Sequence, residues 1–577
     1  MAESKRDNQI NARGDHAVET GSSREQHELD MLPESPNSSD SETMIETGNG
    51  RGRFRVLAIM VALSLSVFVA ALDQTIMSTA IPTITAKLDS AAGYTWIGGA
   101  YLLANAAGAP IWSKLSDIWG RKPILLLAVA WFFISSIICA TAVNMQMLIA
   151  GRALQGTAGG GLFQLVTITI SDLFSVRRRS LYLGFIEFMW ALAGGVGPLL
   201  GGAFSEYVSW RWNYWVNLPI SGTTFVLLLL FLDVHNPKTP VLEGVRAIDW
   251  FGCLSILGLT LMVLLGINFG GETFPWKSPQ VICLIIFGSF CSLLFIYSEK
   301  RLAKYPIMPF SLFKSASNIA VLVVSFTHGF VFIASEYYLP LYLQSVKQAS
   351  PMRSGLLVLP LIVVEAMMGV LSGAIIHRTG RYLELIWIGC VLCTVGNGLY
   401  IHLNATSSLG EIIGFQVVMG LGAGLLFEPP LIALQNLASQ EDTAAATATQ
   451  GFIRNLATSA SVVIGGVVFQ NSMNKQASKL KAAGLPDSLA QRLSGNSAAA
   501  SITIIKTIKD PLQLLAVKKA FSWSLHNMWI LYTAIAAVGI VASAFITSEK
   551  LNKEHVETKT GLRKEKSESG GVLVTAV

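Results

Sequence analysis

Apolar stretches of about twenty residues recur along nearly the whole chain, and this repetition limits the available folds more than any other feature. Each stretch is long enough to cross a hydrocarbon core of ~30 Å as a helix. Fourteen can be counted, the first at 55–80 and the last at 524–546, and an even count puts both termini on one side. Composition agrees, with 52% hydrophobic and only 14% charged residues, against roughly 25% charged in soluble domains. The expected fold class is an all-α polytopic membrane protein with 14 transmembrane helices. Residues 1–50 are polar, without an apolar segment, and are expected to form a disordered cytosolic N-terminal tail.

Lysine and arginine set the orientation. One series of loops holds Arg51, Arg53, Arg55, Lys114, Arg121, Lys122, Arg177, Arg178, Arg179, Lys238, Arg246, Lys300, Arg301, Lys304, Lys314, Arg378 and Arg381. The opposite short loops offer Lys87, Arg211, Lys277, Lys347 and Arg353, so the richer side is expected to be cytoplasmic. Segment 471–523 then forms an external loop, 547–577 a cytosolic C-terminal tail, and Asn404 of Asn404-Ala-Thr406 an external glycosylation site, whereas Asn37 would be cytosolic. The net charge of +6 calls for no nucleic-acid partner, because the basic residues are spent on orientation. Six cysteines, Cys139, Cys253, Cys283, Cys291, Cys390 and Cys393, all fall in apolar runs and read as small buried residues. Cys390 and Cys393 form a CxxC without histidine partners, so no metal and no cofactor is expected.

Several spans are interrupted by residues that lipid does not tolerate. GFIEFMWALAGGVGPLLGG, Gly184–Gly202, places Ala193, Gly197 and Gly201 at i, i+4 and i+8, a small-residue seam for a neighbouring helix. Pro198 removes a backbone donor in the same run, which requires cover from other helices and implies a bundle. Glu187 either snorkels or faces a polar interior. Asp73, Glu336, Glu365 and Glu428 interrupt other spans, and together with Glu187 they are the candidate proton carriers. Arg152 lies several residues inside GRALQGTAGGG, Gly151–Gly161, and cannot shed its charge, so it needs a carboxylate, carbonyls or water; the sequence does not say which acid pairs with it. Trp190, Phe188, Met189, Met367 and Phe427 are candidates for an adaptable apolar pocket.

A faint repeat joins two regions. SKLSDIWGRKPIL from Ser113 and GAIIHRTGRYLEL from Gly373 carry Gly-Arg at matching offsets. The expected organisation is a six-helix N-terminal half at 55–233, two inserted helices at 248–298 and a six-helix C-terminal half at 317–546, with a binding site between the halves. In the first copy Asp117 can cap a helix, while Arg121 and Lys122, after Gly120, pair with acids or carbonyls.

SKLSDIWGRKP, Ser113–Pro123, resembles the loop motif of the major facilitator superfamily, with Ser113 where glycine is usual. GRALQGTAGGG resembles that family's fourth-span motif, and AGGVGPLLGG, with Gly197, Pro198, Gly201 and Gly202, resembles the fifth-span motif of its drug:proton antiporters, with Ala193 at a usual glycine. Leu72-Asp73-Gln74-Thr75-Ile76 with Thr79-Ala80-Ile81-Pro82, and SWRWNYWVNLP, Ser209–Pro219, are similar to signatures of the fourteen-span branch. GLGAGLLFEPPLIALQ, Gly420–Gln435, is similar to a broken helix in fungal mycotoxin and multidrug exporters. The resemblance implies the major facilitator fold and proton-coupled efflux of an amphipathic toxin, secondary metabolite or drug by alternating access. Its implied partners are a small-molecule substrate, protons and the lipid bilayer, and a monomer is expected. The alternative within transport is uptake or exchange of siderophores or basic amino acids at a plasma or vacuolar membrane. An enzyme is not expected, since no Walker loop, HExxH or nucleophile elbow is present. The cell membrane is the expected location, with a vacuolar or vesicle membrane as the alternative.

Overall fold

The computed structural model describes residues 52–551, apart from 90–92, 271–273, 304–305, 440–441, 496–497, 500 and 550. The expected tail at 1–50 with Asn37, the loop cations Arg51 and Lys304, and residues 552–577 lie outside the described residues. The first helices are α1 (Arg53–Lys87), α2 (Gly93–Trp119), α3 (Arg121–Ala140), α4 (Met145–Leu173), α5 (Val176–Ala203) and α6 (Asn217–Phe231). Next comes a pair, α7 (Trp250–Phe269) and α8 (Pro279–Tyr297). The last group is α9 (Ala316–Ser345), α10 (Pro351–Thr379), α11 (Leu383–Tyr400), α12 (Leu409–Gly424), α13 (Pro429–Leu437), α14 (Thr443–Ala482) and α15 (Pro511–Ser543).

Among the described residues twelve helical segments are long and apolar enough to cross a membrane, with α12 and α13 together making one of them. The sequence count of fourteen includes α2 and α4 as well, which are 27 and 29 residues long but not apolar enough to join the twelve. Their composition follows from where they pack. Gly156 and Gly160 of α4 lie against the α2 backbone at Tyr101 and Asn105, and Gly161 against the Trp112 ring, so any side chain there would hold the two helices apart.

The repeat has a backbone basis. Gly120 and Gly380 both take positive φ, 94° and 73°, at the turns between α2 and α3 and between α10 and α11. That conformation favours glycine, and the arginine following each turn lies on a common Gly-Arg face. In the first copy Arg121 is buried and donates to Asp172 Oδ2 at 2.6 Å, to Ser116 Oγ at 2.6 Å and to Asp117 Oδ1 at 2.5 Å. Lys122 donates to the Leu229 carbonyl. Asp117 therefore serves the arginine and caps no helix; α3 starts from Gly120, which has no side chain to cap with.

The small-residue seam joins α5 to α1. Thr75 Oγ1 donates to the Ala193 carbonyl at 2.9 Å and Thr79 Oγ1 to the Pro198 carbonyl at 3.1 Å. Side chains at Gly197 and Gly201 would collide with Thr75 and Ile76, whereas Gly202 faces open space. The cysteine expectation fails on α8: all six are free, but Cys283 is exposed, and Cys291, whose sulfur lies against Gly258 of α7, is only half-buried. Segment 471–523, expected as a loop, carries the end of α14, short helices at Asp487–Arg492 and Ile502–Ile505, and the start of α15. Met473, Leu480, Leu493, Ile505 and Val517 are buried within it and continue the main apolar core, which also holds Phe469, Phe521 and Trp529.

Candidate functional site: two polar centres and a cavity between the halves

On the Gly-Arg face the two halves are stitched together. Arg177 donates through Nε to the His377 carbonyl at 2.6 Å and through Nη2 to the Arg378 carbonyl. Arg179 Nη1 donates to Gln435 Oε1 at 2.9 Å, and Gln435 Nε2 donates to Ser171 Oγ and Thr447 Oγ1, both at 2.8 Å. Gly373 packs against the Ser180 carbonyl, which brings α10 onto α5. From the middle of the bundle toward the opposite face the halves part around a cavity of ≈ 440 Å³. Its wall includes Ile81 and Trp96 at the far ends of α1 and α2, and Val462 and Val463 on α14.

The N-terminal half holds the first polar centre. Arg152 Nη1 donates to Asp73 Oδ2 at 2.5 Å and to Gln155 Oε1 at 2.8 Å, while its Nε donates to the Ile97 carbonyl at 3.1 Å. Asp73 Oδ1 accepts from Gln155 Nε2 and Asn217 Nδ2, each at 2.8 Å. The guanidinium also lies 4.4 Å over the Tyr101 ring. Both charges are buried, 0% and 1% exposed, and each is closely hydrogen-bonded, which a buried ion pair needs to offset desolvation. The acid opposite Arg152 is thus Asp73. The aromatic stretch Ser209–Pro219 contributes Asn217 to this centre, along with Tyr214, whose hydroxyl meets Met77 Sδ at 3.3 Å.

A second centre lies between the halves. Glu187 of α5, Glu336 of α9 and Glu428 at the start of α13 line the cavity, and Glu365 of α10 is buried beside it. Glu365 Oε1 and Glu428 Oε2 are buried without a hydrogen-bond partner. Arg454 of α14 lies within electrostatic reach of all four acids. Its guanidinium rests on aromatic rings, 4.4 Å from the centre of Phe427 and 5.5 Å from that of Phe332. His328 stacks on Phe332 at 5.2 Å and reaches the Ala423 carbonyl at 3.1 Å, where α12 gives way to α13.

Of the sequence-predicted residues, Glu187, Glu336, Glu428, Trp190, Phe427 and Arg152 line the cavity. Phe188 and Met367 instead point out of the bundle, 41% and 65% exposed, and Met189 does not reach the wall. Asn404 is exposed, its Oδ1 accepting from Thr406 N and Oγ1. Sequence reasoning passed over Arg454, His328, Gln155 and Gln435. The rule that singled out the acids, a charge inside a span, applies to Arg454 as well. Its surroundings, Gln450 to Ser461, are polar enough to hide the interruption.

The Major Facilitator Superfamily profile matches residues 63–462. The chain belongs to this superfamily. Similar superfamily members include "Efflux pump dotC" of Dothistroma septosporum, 46% identical over 518 residues, covering 90% of this chain and 89% of the relative. "MFS-type transporter ppz2" of Metarhizium majus is 46% identical over 522 residues, covering 90% of both. "Efflux pump FUS6" of Gibberella fujikuroi is 35% identical over 546 residues, covering 94% of this chain and 98% of the relative. Among solved structures, the human organic anion transporter MFSD10 superposes with a TM-score of 0.54 at 16% identity, covering 83% of this chain and 99% of that one. A double-Trp mutant of XylE gives 0.56 at 14%, covering 87% and 98%. These two likenesses concern the fold, which is the multi-pass membrane fold of the superfamily.

Proposed function

We propose that the protein is a proton-coupled exporter of amphipathic small molecules. The observation that carries this reading is the second centre: carboxylates from both halves facing one guanidinium in an aromatic-lined cavity. Like charges placed together in low dielectric do not all ionise, so the set holds protons whose number depends on how closely the acids approach. Glu187 belongs to the N-terminal half, and Glu336, Glu365 and Glu428 to the C-terminal half. Rocking of the halves changes that approach and so ties proton release to the direction in which the cavity opens. A substrate with hydrogen-bond donors competes with protons for the same oxygens, while Trp190, Phe332 and Phe427 take its apolar part. The relatives named efflux pumps support the outward direction.

In this reading Asp73 is the fixed partner of Arg152, and titration falls to the second centre. Orientation follows the lysine and arginine asymmetry, with the Gly-Arg face cytoplasmic and the cavity leading outward. We infer fourteen spans, since α2 and α4 exceed the ~20 residues a crossing needs and owe their polarity to interior packing.

The test uses the full chain in proteoliposomes with pyranine in the lumen, an imposed pH gradient and a panel of amphipathic dyes that includes rhodamine 6G. The expected outcome is dye-dependent proton flux in the wild type, lost in at least one of Glu187→Gln, Glu336→Gln, Glu365→Gln and Glu428→Gln with dye binding retained. Gradient-driven dye transport that survives in all four variants would refute coupling through any one of these acids.

A further inference from the structure

The pair α7–α8, which the sequence offers as two helices inserted between the halves, packs in a way that insertion alone does not require. Along α7, Cys253, Ile256, Thr260 and Leu264 recur at intervals of three and four and are all buried, so one stripe of the helix faces inward. That stripe meets both halves. At one end Cys253 and Ile256 share a cluster with Ile118 of α2 and Phe452 of α14. At the other, Phe269 stands edge-on to Trp96 of α2 with ring centres 5.7 Å apart. Between them Leu264 lines the central cavity. The Thr260 hydroxyl, one turn away on the same stripe, is buried without a hydrogen-bond partner.

The other side of α7 looks away from the halves. Phe251 and Leu254 are exposed, and α8 is held close to α7 through Gly258, Gly266 and Gly288. Loop contacts pin the pair at the Gly-Arg face: Glu299 accepts from the backbone N–H of Ile307 at 2.8 Å and Met308 at 3.3 Å, and Lys114 donates to the Pro306 carbonyl at 3.1 Å.

We propose that α7 is a wall of the transport cavity: it stands in the seam between α2 and α14, shuts lipid out of the cavity there, and supplies Leu264 as a residue that selects substrate by size. Selection by Leu264 rests on the transport reading above, whereas the position of α7 between the halves does not. A leucine in a cavity wall discriminates by volume, since a few methylenes more or less change the fit of an apolar ligand. The halves must then slide along α7 as they rock, and its inner stripe suits this: at its middle it offers Thr260 and Leu264, with no charge to break.

Two measurements on the full chain test the proposal. The first needs no substrate: a Trp96→Cys/Phe269→Cys pair, and Phe452→Cys against the native Cys253, should each be bridged in nanodiscs by a short flexible bis-maleimide, which spans side chains that are near neighbours but not in disulfide geometry. Failure of both removes α7 from the seam. The second measures equilibrium binding of rhodamine B methyl ester and rhodamine B hexyl ester by fluorescence anisotropy, without a proton gradient. Leu264→Trp should weaken the hexyl ester relative to the methyl ester by roughly tenfold. Leu264→Ala should shift the ratio the other way, and Leu254→Trp, on the outward side, should leave it unchanged. An unchanged ratio in both Leu264 variants, or an equal shift in the Leu254 control, overturns selection by α7. Crosslinks that form in a protein that exports no dye would refute the transport reading and leave the wall standing.

Discussion

Asp73 and Arg152 each hold the other in place. Asp73 Oδ1 accepts from two side-chain amides and Oδ2 from the guanidinium, so the carboxylate joins three groups of the centre. Asp73→Asn would set an amide donor against the donors of Gln155 or Asn217 and leave Arg152 charged and buried. Breaking a buried pair from one side costs about 3–5 kcal/mol. The expected outcome is a lowered thermal midpoint and poor yield of the purified protein, not a folded protein with altered coupling. Arg152→Lys should behave similarly, because an ammonium lacks the fork that reaches Ile97, Asp73 and Gln155 together. A normal midpoint for Asp73→Asn would show that the pair contributes little to the fold.

At the scale of the element, α5 carries a motif whose glycines do different work. Gly197 and Gly201 sit where a Cβ would strike α1, while Gly202 borders open space. Gly197→Ala forces α5 away from Thr75 and its bond to the Ala193 carbonyl, an overpacking cost of about 1–3 kcal/mol. Gly202→Ala removes a helix-interior glycine without a clash and should stabilise by roughly 0.5–1 kcal/mol. Thermal unfolding of the two purified variants should therefore move in opposite directions. If both move down, the seam extends further along α5 than the packing indicates. The broken helix α12–α13 follows the same logic: Gly420 and Gly424 admit α10, Gly422 admits α11, and Pro429 restarts the chain with Glu428 at the cavity wall.

For the whole molecule, the question is what keeps the Gly-Arg face shut. Arg179, Gln435, Ser171 and Thr447 form one network that crosses between the halves, with the arginine buried in it. A hydrogen bond to a charged group contributes about 1.5–3 kcal/mol, which is roughly a tenfold to hundredfold change in a two-state population. Gln435→Leu keeps the volume and removes the bonds, so it should populate a form open on the Gly-Arg face. Spin labels on the Gly-Arg ends of α5 and α10 would read this as a new, longer distance. An unchanged distance distribution would leave closure to Arg177 and the packing of Gly373 on Ser180.

The sequence by itself determined the helices and the family. Apolar runs of about twenty residues leave a lipid-spanning chain few alternatives, and loop glycines followed by arginine mark turns that only a positive φ allows. It also determined which residues could not face lipid, since charges such as Asp73, Arg152, Glu187 and Glu428 stand out against apolar neighbours wherever they fall. What it left open was who meets whom. Asp73 and Arg152 are 79 residues apart and pair, while Arg454 and Glu187 come from different halves and face each other across a cavity. Leu264 is one leucine among many until α7 is seen standing between α2 and α14. Spacing along a helix reports which side a residue lies on but not which helix that side will touch. In a membrane, where apolar burial does not tell one helix from another, close packing and the pairing of buried charges choose the neighbour, and both exist only in the folded molecule.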